Sequence, residues 1–315
     1  MGRFFPGALF IAAALLATLV AGVLFIRGHQ TFPWWLSPSA QPQGTLYLTL
    51  TPTAKTTSGI YTLSLADHVL HPVLVPLRGS AEMPRVTPHG ILFVTDHIGK
   101  RYLTTPQLAL LSGTTTTRLT DTPSLSKRDP LFVPAWAHYV YSGQDADALG
   151  TDPESFTTYV FDSATDKGLR LSAGVLPAVV PNVAGVALLR DDGIYLATAA
   201  SAQKVWTILN GAATLDDQFA ISPQGDRIAW AVPEEGKLYV MHVSSWQPFS
   251  GQLERVVDTE AQWPIFSQDG NFIAYVQSSG TSQSIALLDQ KSATATRIFD
   301  LSPYAAGTTA ITDWQ

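Results

Sequence analysis

Two passages of the chain superpose on one another: "FAISPQGDRIAWAVPEEGKLYVMHV", starting at Phe219, and "PIFSQDGNFIAYVQSSGTSQSIALLD", starting at Pro264. Ser222 and Ser267 stand 45 residues apart, as do Gly225 and Gly270. Each passage is made of short apolar and β-branched runs punctuated by turn residues, and a period near 45 residues is the spacing of propeller blades. Three earlier copies follow the same plan. Pro84 opens "PRVTPHGILFV", Pro130 opens "PLFVPAWAHYVY" and Pro177 opens "PAVVPNVAGVALL". From Pro84 through Pro130, Pro177 and Phe219 to Pro264 the steps are 46, 47, 42 and 45 residues. Proline has no N–H to give a sheet ladder, so a proline recurring in strands belongs on an edge. In a propeller that edge is the innermost strand of each blade, which borders the central channel. The glycine a few residues on serves the turn into the second strand, where positive φ is needed.

The chain ends on "ITDWQ", in which Thr312-Asp313-Trp314-Gln315 matches Pro264-Ile265-Phe266-Ser267 with a step of 48. This is a sixth innermost strand without the rest of its blade. The missing strands stand at the other end of the domain, in "LYLTLTP" (46–52), "GIYTLSL" (59–65) and "HVLHPVLV" (68–75). A blade built from both termini closes the ring and leaves no dangling edge. Residues 45–315 number 271, about 45 for each of six blades. The expected fold is an all-β, six-bladed β-propeller closed by the C-terminal strand.

The repeats resemble the WD40-like P-x-[WF]-S-P-D-G repeats of the TolB-like propellers, which also occur in the propeller domains of prolyl-oligopeptidase-type enzymes. Ser222-Pro223-Gln224-Gly225 lacks the Asp, Ser267-Gln268-Asp269-Gly270 lacks the Pro, and Thr87-Pro88-His89-Gly90 keeps the Pro and Gly. The resemblance covers residues 45–315 and is strongest in the last two full blades. It implies a six-bladed propeller; the motif consists of turn and edge residues and carries no chemistry.

Ahead of the propeller, residues 4–26 ("FFPGALFIAAALLATLVAGVLFI") are 23 residues without a charge, between Arg3 and Arg27. As a helix at ~1.5 Å per residue they span ~35 Å, enough to cross a ~30 Å hydrocarbon core. The run is longer than the apolar region of a cleaved signal peptide, which makes an uncleaved N-terminal transmembrane anchor (1–30) the expectation over a signal sequence. A short Pro/Ser-containing juxtamembrane linker (31–44) follows. Its Trp34 and Trp35 suit either an interfacial aromatic belt or packing on the folded domain. An anchor this close to the N-terminus places the propeller on the extracytoplasmic, periplasmic side of the inner membrane.

The chain carries no Cys, which removes thiol nucleophiles and cysteine-ligated metals, and its net charge of −6 leaves no basic footprint for nucleic acid. A peptidase would need a G-x-S-x-G elbow. The nearest string, Gly280-Thr281-Ser282-Gln283-Ser284, lacks the second Gly and falls in an expected hairpin. The most polar insertion is "SGQDADALGTDPESF" (142–156) in the third blade, where Asp145, Asp147, Asp152 and Glu154 offer oxygen ligands to Ca. Leu149 and Phe156 break an EF-hand pattern there, and a solvated acidic loop is the expectation. His68 and His71 are expected on opposite sides of a strand, His89 in a turn and His97 in a loop, which assembles no site.

The channel mouth remains. Arg85, Lys127, Arg128, Asp129, Asn182, Gln262 and Asp313 are polar residues in or beside innermost strands and are the candidates for contact with a partner. The resulting expectation is a non-catalytic, membrane-anchored, extracytoplasmic propeller that binds protein within an envelope or membrane complex, with no cofactor. The alternatives are a small-ligand or carbohydrate-binding sensor using the channel and, behind it, an enzyme with a calcium-assisted site. The first would be stabilised by its ligand; the second would lose activity with EDTA.

Overall fold

The computed structural model describes residues 42–52, 57–98, 101–148, 150–162, 167–181, 183–198, 202–207, 213–304 and 309–315. The apolar segment 4–26 and the Trp34-Trp35 pair lie outside them. Among the described residues no helix is long and apolar enough to cross a membrane.

The compact unit Gln43–Gln315 consists of six four-stranded antiparallel sheets. Blade 2 is β4 (Ala81–Thr87), β5 (Gly90–Ile98), β6 (Arg101–Ser112) and β7 (Thr115–Arg118). Blade 3 is β8 (Leu125–Val133), β9 (His138–Asp145), β10 (Thr157–Asp162) and β11 (Lys167–Ala173), and blade 4 is β12 (Val175–Val180), β13 (Gly185–Arg190), β14 (Gly193–Thr198) and β15 (Ala202–Thr207). Blade 5 is β16 (Gln218–Ile221), β17 (Arg227–Val232), β18 (Lys237–Trp246) and β19 (Phe249–Asp258), and blade 6 is β20 (Ala261–Phe266), β21 (Phe272–Ser279), β22 (Ser282–Asp289) and β23 (Ala295–Asp300). Blade 1 joins the chain ends in the order β24 (Ala310–Trp314), β1 (Thr45–Leu50), β2 (Gly59–Ser64), β3 (Leu70–Leu74).

Six apolar clusters hold the blades together, one at each seam. They explain why the second strands read as unbroken apolar runs. In β17, Ile228 and Trp230 enter the seam with blade 4 while Ala229 and Ala231 enter the seam with blade 6. In β21, Phe272, Ala274 and Val276 face blade 1 and Ile273 and Tyr275 face blade 5. The period-2 alternation of a strand thus buries both faces, as in any sheet covered on two sides.

The closure read from the termini is present. Leu46 pairs with Trp314, Tyr47 with Asp313, Leu48 with Ile311 and Thr49 with Ala310. Thr45 and Gln315 exchange backbone bonds of 2.6 and 3.0 Å, and the Trp314 indole donates to the Gln43 carbonyl at 2.9 Å. Gly44 is required here: at φ +105° a Cβ would stand 2.3 Å from the Gln315 carbonyl oxygen.

The motif serines are buried turn clamps. Ser267 Oγ donates to Asp269 at 2.6 Å and accepts from the Phe272 N–H at 3.0 Å. In blade 5, where Gln224 occupies the Asp position, Asp226 accepts from Ser222 Oγ at 2.8 Å instead. Two sequence expectations are corrected. His97 is in strand β5, next to its end and paired with Tyr102, a hairpin that the polar N-terminal half of β6 concealed in the sequence. His68 precedes β3 in a left-handed conformation (φ 57°), so only His71 is in the strand.

Candidate functional site

The six innermost strands β4, β8, β12, β16, β20 and β24 enclose the central channel, and their backbone shape sets what lines it. Four carry the recurring proline. In each of these the residue before proline is left-handed: Met83 (φ 55°), Asp129 (φ 50°), Leu176 (φ 52°) and Trp263 (φ 52°). At each, pairing with the second strand skips, between Glu82 and Arg85, Arg128 and Leu131, Val175 and Ala178, and Gln262 and Ile265. These are β-bulges, which re-aim side chains and bend the strand. Blade 5, which has Phe219 in place of proline, pairs in continuous register.

Each bulge N–H is turned toward the preceding blade. Met83 donates to Thr49 Oγ1 at 2.8 Å, Asp129 to Met83 sulfur at 3.2 Å, Leu176 to Asp129 Oδ2 at 3.4 Å and Trp263 to Gln218 Oε1 at 3.2 Å. A left-handed non-glycine residue stores ~1–3 kcal/mol of strain. Here that strain orders a ring of contacts between blades.

The bore has a volume of about 230 Å³ and is lined chiefly by Leu131, Leu176, Phe219, Trp263 and Ile311, with Arg85 as its one charged wall residue. Arg85 is partly buried; its Nη1 donates to the Thr312 carbonyl. Burial pulls the guanidinium below its usual pKa, and the fields of Asp313 and Asp129 act against that pull. Both carboxylates are committed elsewhere. Asp313 accepts from the Val86 N–H at 2.6 Å, the Trp314 N–H at 2.8 Å and Gln315 Nε2 at 2.9 Å, and Asp129 accepts from Arg128 Nε at 2.9 Å. A larger concavity of about 580 Å³ lies at the blade 1–blade 2 seam around Leu74, Leu77, Arg78, Phe93 and His97; it draws on two blades, whereas the lining of the bore comes from all six.

The same architecture is found in solved structures of other proteins. TolB from Acinetobacter baumannii matches with a TM-score of 0.64 at 17% identity, over 86% of this chain and 66% of that one. A TolB-like protein from Agrobacterium tumefaciens matches with 0.55 at 14% identity, over 82% and 89%. This chain has a six-bladed β-propeller fold like that of TolB. The chain spans just under two thirds of the length of the Acinetobacter TolB structure. An oligogalacturonate lyase solved in complex with manganese shares the TolB-like fold too, with a TM-score of 0.55 at 12% identity over 82% of this chain and 74% of that one. At these identities the likeness is one of fold. No protein-family model and no curated protein matches the sequence.

Among the other residues singled out in this TolB-like propeller, Lys127 is 2% exposed and does not line the bore. Its ammonium donates to Gln107 Oε1 of blade 2 at 2.7 Å and to the Leu125 carbonyl at 3.0 Å, and burial lowers its pKa to about 8. Arg128 pairs with Asp129 and lies over the Phe156 ring, 5.4 Å from its centroid. Gln262 is partly buried beside the blade 6 bulge, and Asn182 lies outside the described residues.

The acidic insertion is fastened to blade 4. Glu154 pairs with Arg190 at 2.7 Å, its N–H donates to Asp191 at 3.0 Å, and Phe156 is buried in the seam. Among the described residues no group of three or more His, Cys, Asp or Glu could hold a metal ion, so Asp145, Asp147, Asp152 and Glu154 do not converge. The residues sequence reasoning missed are Leu176 and Trp263. Their signal was their place, one residue before a blade-opening proline, where side-chain identity varies and backbone shape does not.

Proposed function

We propose that this chain is a membrane-anchored interaction module. Residues 4–26 hold it in the inner membrane in a single pass, the propeller stands on the extracytoplasmic side, and the channel grips a protein partner. The observation that carries this reading is the lining of the bore, where Trp263, Phe219 and Arg85 share a wall otherwise made of aliphatic residues and prolines with Gln218 and Ser222. Aromatic and arginine side chains clustered in a pocket are the groups that dominate protein interfaces. The solved TolB and the lyase have this fold in common, so the wall, and not the fold, supports the choice. The test is chemical cross-linking of the full chain in membranes, with Ala178→Trp as the comparison. Ala178 lines the bore, and an indole there fills it. The cross-linked partner should disappear with Ala178→Trp while the melting temperature holds; an unchanged set of neighbours would sink the reading. The polar groups Arg85, Gln218 and Ser222 on that lining also favour a second reading, a small-ligand sensor, for which a defined ligand must raise the melting temperature.

A further inference from the structure

We propose that the bore seats a carboxylate on Arg85, so that the partner enters as an extended peptide segment with an acidic side chain beside an apolar or aromatic one. This rests on reading the propeller as a protein-binding module. The first support is the state of the guanidinium. It lines the bore, and among the described residues its one hydrogen bond is to a carbonyl and no ion pair includes it. Five N–H donors in a planar fork match a carboxylate, and most of them remain for a ligand. Asp313 and Asp129 are near enough to act on its charge, but backbone N–H groups, Gln315 and Arg128 hold them in place. The fields of those two carboxylates offset part of the cost of burying this charge, and a ligand carboxylate would add the bidentate hydrogen bonds that neither of them makes to it.

The second support is the shape of the bore. Its lining runs consecutively along β12 from Leu176 to Val179 and on to Pro181, and along β16 from Gln218 to Ser222 and Pro223. Six residues of strand are ~17–20 Å long. A pocket that follows neighbouring strands lengthwise offers an extended chain contacts along its course. The apolar residues that share the lining with Arg85, Trp263 and Ile311 among them, would hold the neighbouring side chain and keep water from the ion pair.

An array of random 12-residue peptides probed with the full-length protein tests this, followed by anisotropy titration of the best binder. Binders should be enriched in Asp or Glu adjoining Leu, Phe or Trp. Arg85→Gln should weaken the best binder roughly thirtyfold or more, the scale of losing one partner of a shielded charge pair. Changing the peptide's acid to its amide should cost as much, and combining the two should add little. Arg85→Lys, which keeps the charge without the fork, should fall between and covers the case that Arg85→Gln fails to fold. Excess free succinate should not compete. No enrichment of acidic residues, or equal competition by succinate, overturns the proposal. If Arg85→Gln binds unchanged while Ala178→Trp does not bind, the channel reading stands and the carboxylate falls. If binding survives Ala178→Trp, both fall.

Discussion

Asp217, just before the innermost strand of blade 5, is 5% exposed and receives the Thr214 N–H at 2.9 Å. Burial raises its pKa to about 6, and the nearby Glu234, Asp216 and Glu235 push the same way. The folded chain therefore holds a proton here that the unfolded chain has released from about pH 4 upward, so this group's contribution to stability falls as pH rises from ~4 to ~6. Lys127 works in the opposite sense. Its folded pKa of about 8 lies below the ordinary 10.5, so between those values the unfolded chain alone carries the proton and stability rises with pH. Two variants separate the limbs. Asp217→Asn should gain stability over the native chain above pH ~6 and match it below ~4, and Lys127→Met should gain below pH ~8 and lose that gain toward ~10.5. Each difference is at most ~3 kcal/mol. Thermal melts across pH check both, and a pH-independent difference in either variant contradicts the assignment of that charge. Neither burial was legible in the sequence. Lys127 read as a channel residue, but its partner Gln107 is 20 residues away on another blade, and the bulge after Arg128 turns side chains away from the alternation that a simple strand implies.

At the scale of elements, the prolines at 84, 130 and 177 and at 264 were legible because what proline forbids is local. Their left-handed predecessors were not, because Met83, Asp129, Leu176 and Trp263 share a conformation and no side-chain property. The insertion in blade 3 divides in a similar way. Its acidic residues suggested a solvated loop, and the structure adds that its C-terminal end is an anchor, through Glu154 on Arg190 and Phe156 in the seam. Deleting 145–153 should leave cooperative melting with a temperature change of a few degrees, because shortening a loop changes closure entropy little. Phe156→Ala should cost ~3–5 kcal/mol through the cavity it leaves. The two melts side by side are the check: a deletion that lowers stability as much as Phe156→Ala would mean the acidic stretch is structural.

For the whole molecule, blade count, blade order and the joining of the termini followed from a repeat near 45 residues and an ending that looked like a strand without a blade. The apolar lining of the bore did not follow, since its residues come from innermost strands of several blades and meet only once the ring is closed. Closure is thus the condition for the site. Trp314 and Ile311 are each 2% exposed in the seam between blades 6 and 1, and β24 supplies the only ladder joining the two ends of the described propeller. The most direct measurement compares the full chain with one stopped at Thr309, by thermal melting and size-exclusion chromatography. Burying an Ile or a larger aromatic side chain is worth ~1.5–3 kcal/mol or more each, so the melting temperature should fall by roughly 10 °C or more. The opened sheet edges should also shift material from monomer to aggregate. Equal melting temperatures and equal monomer yield would contradict the closed ring, and the channel site with it.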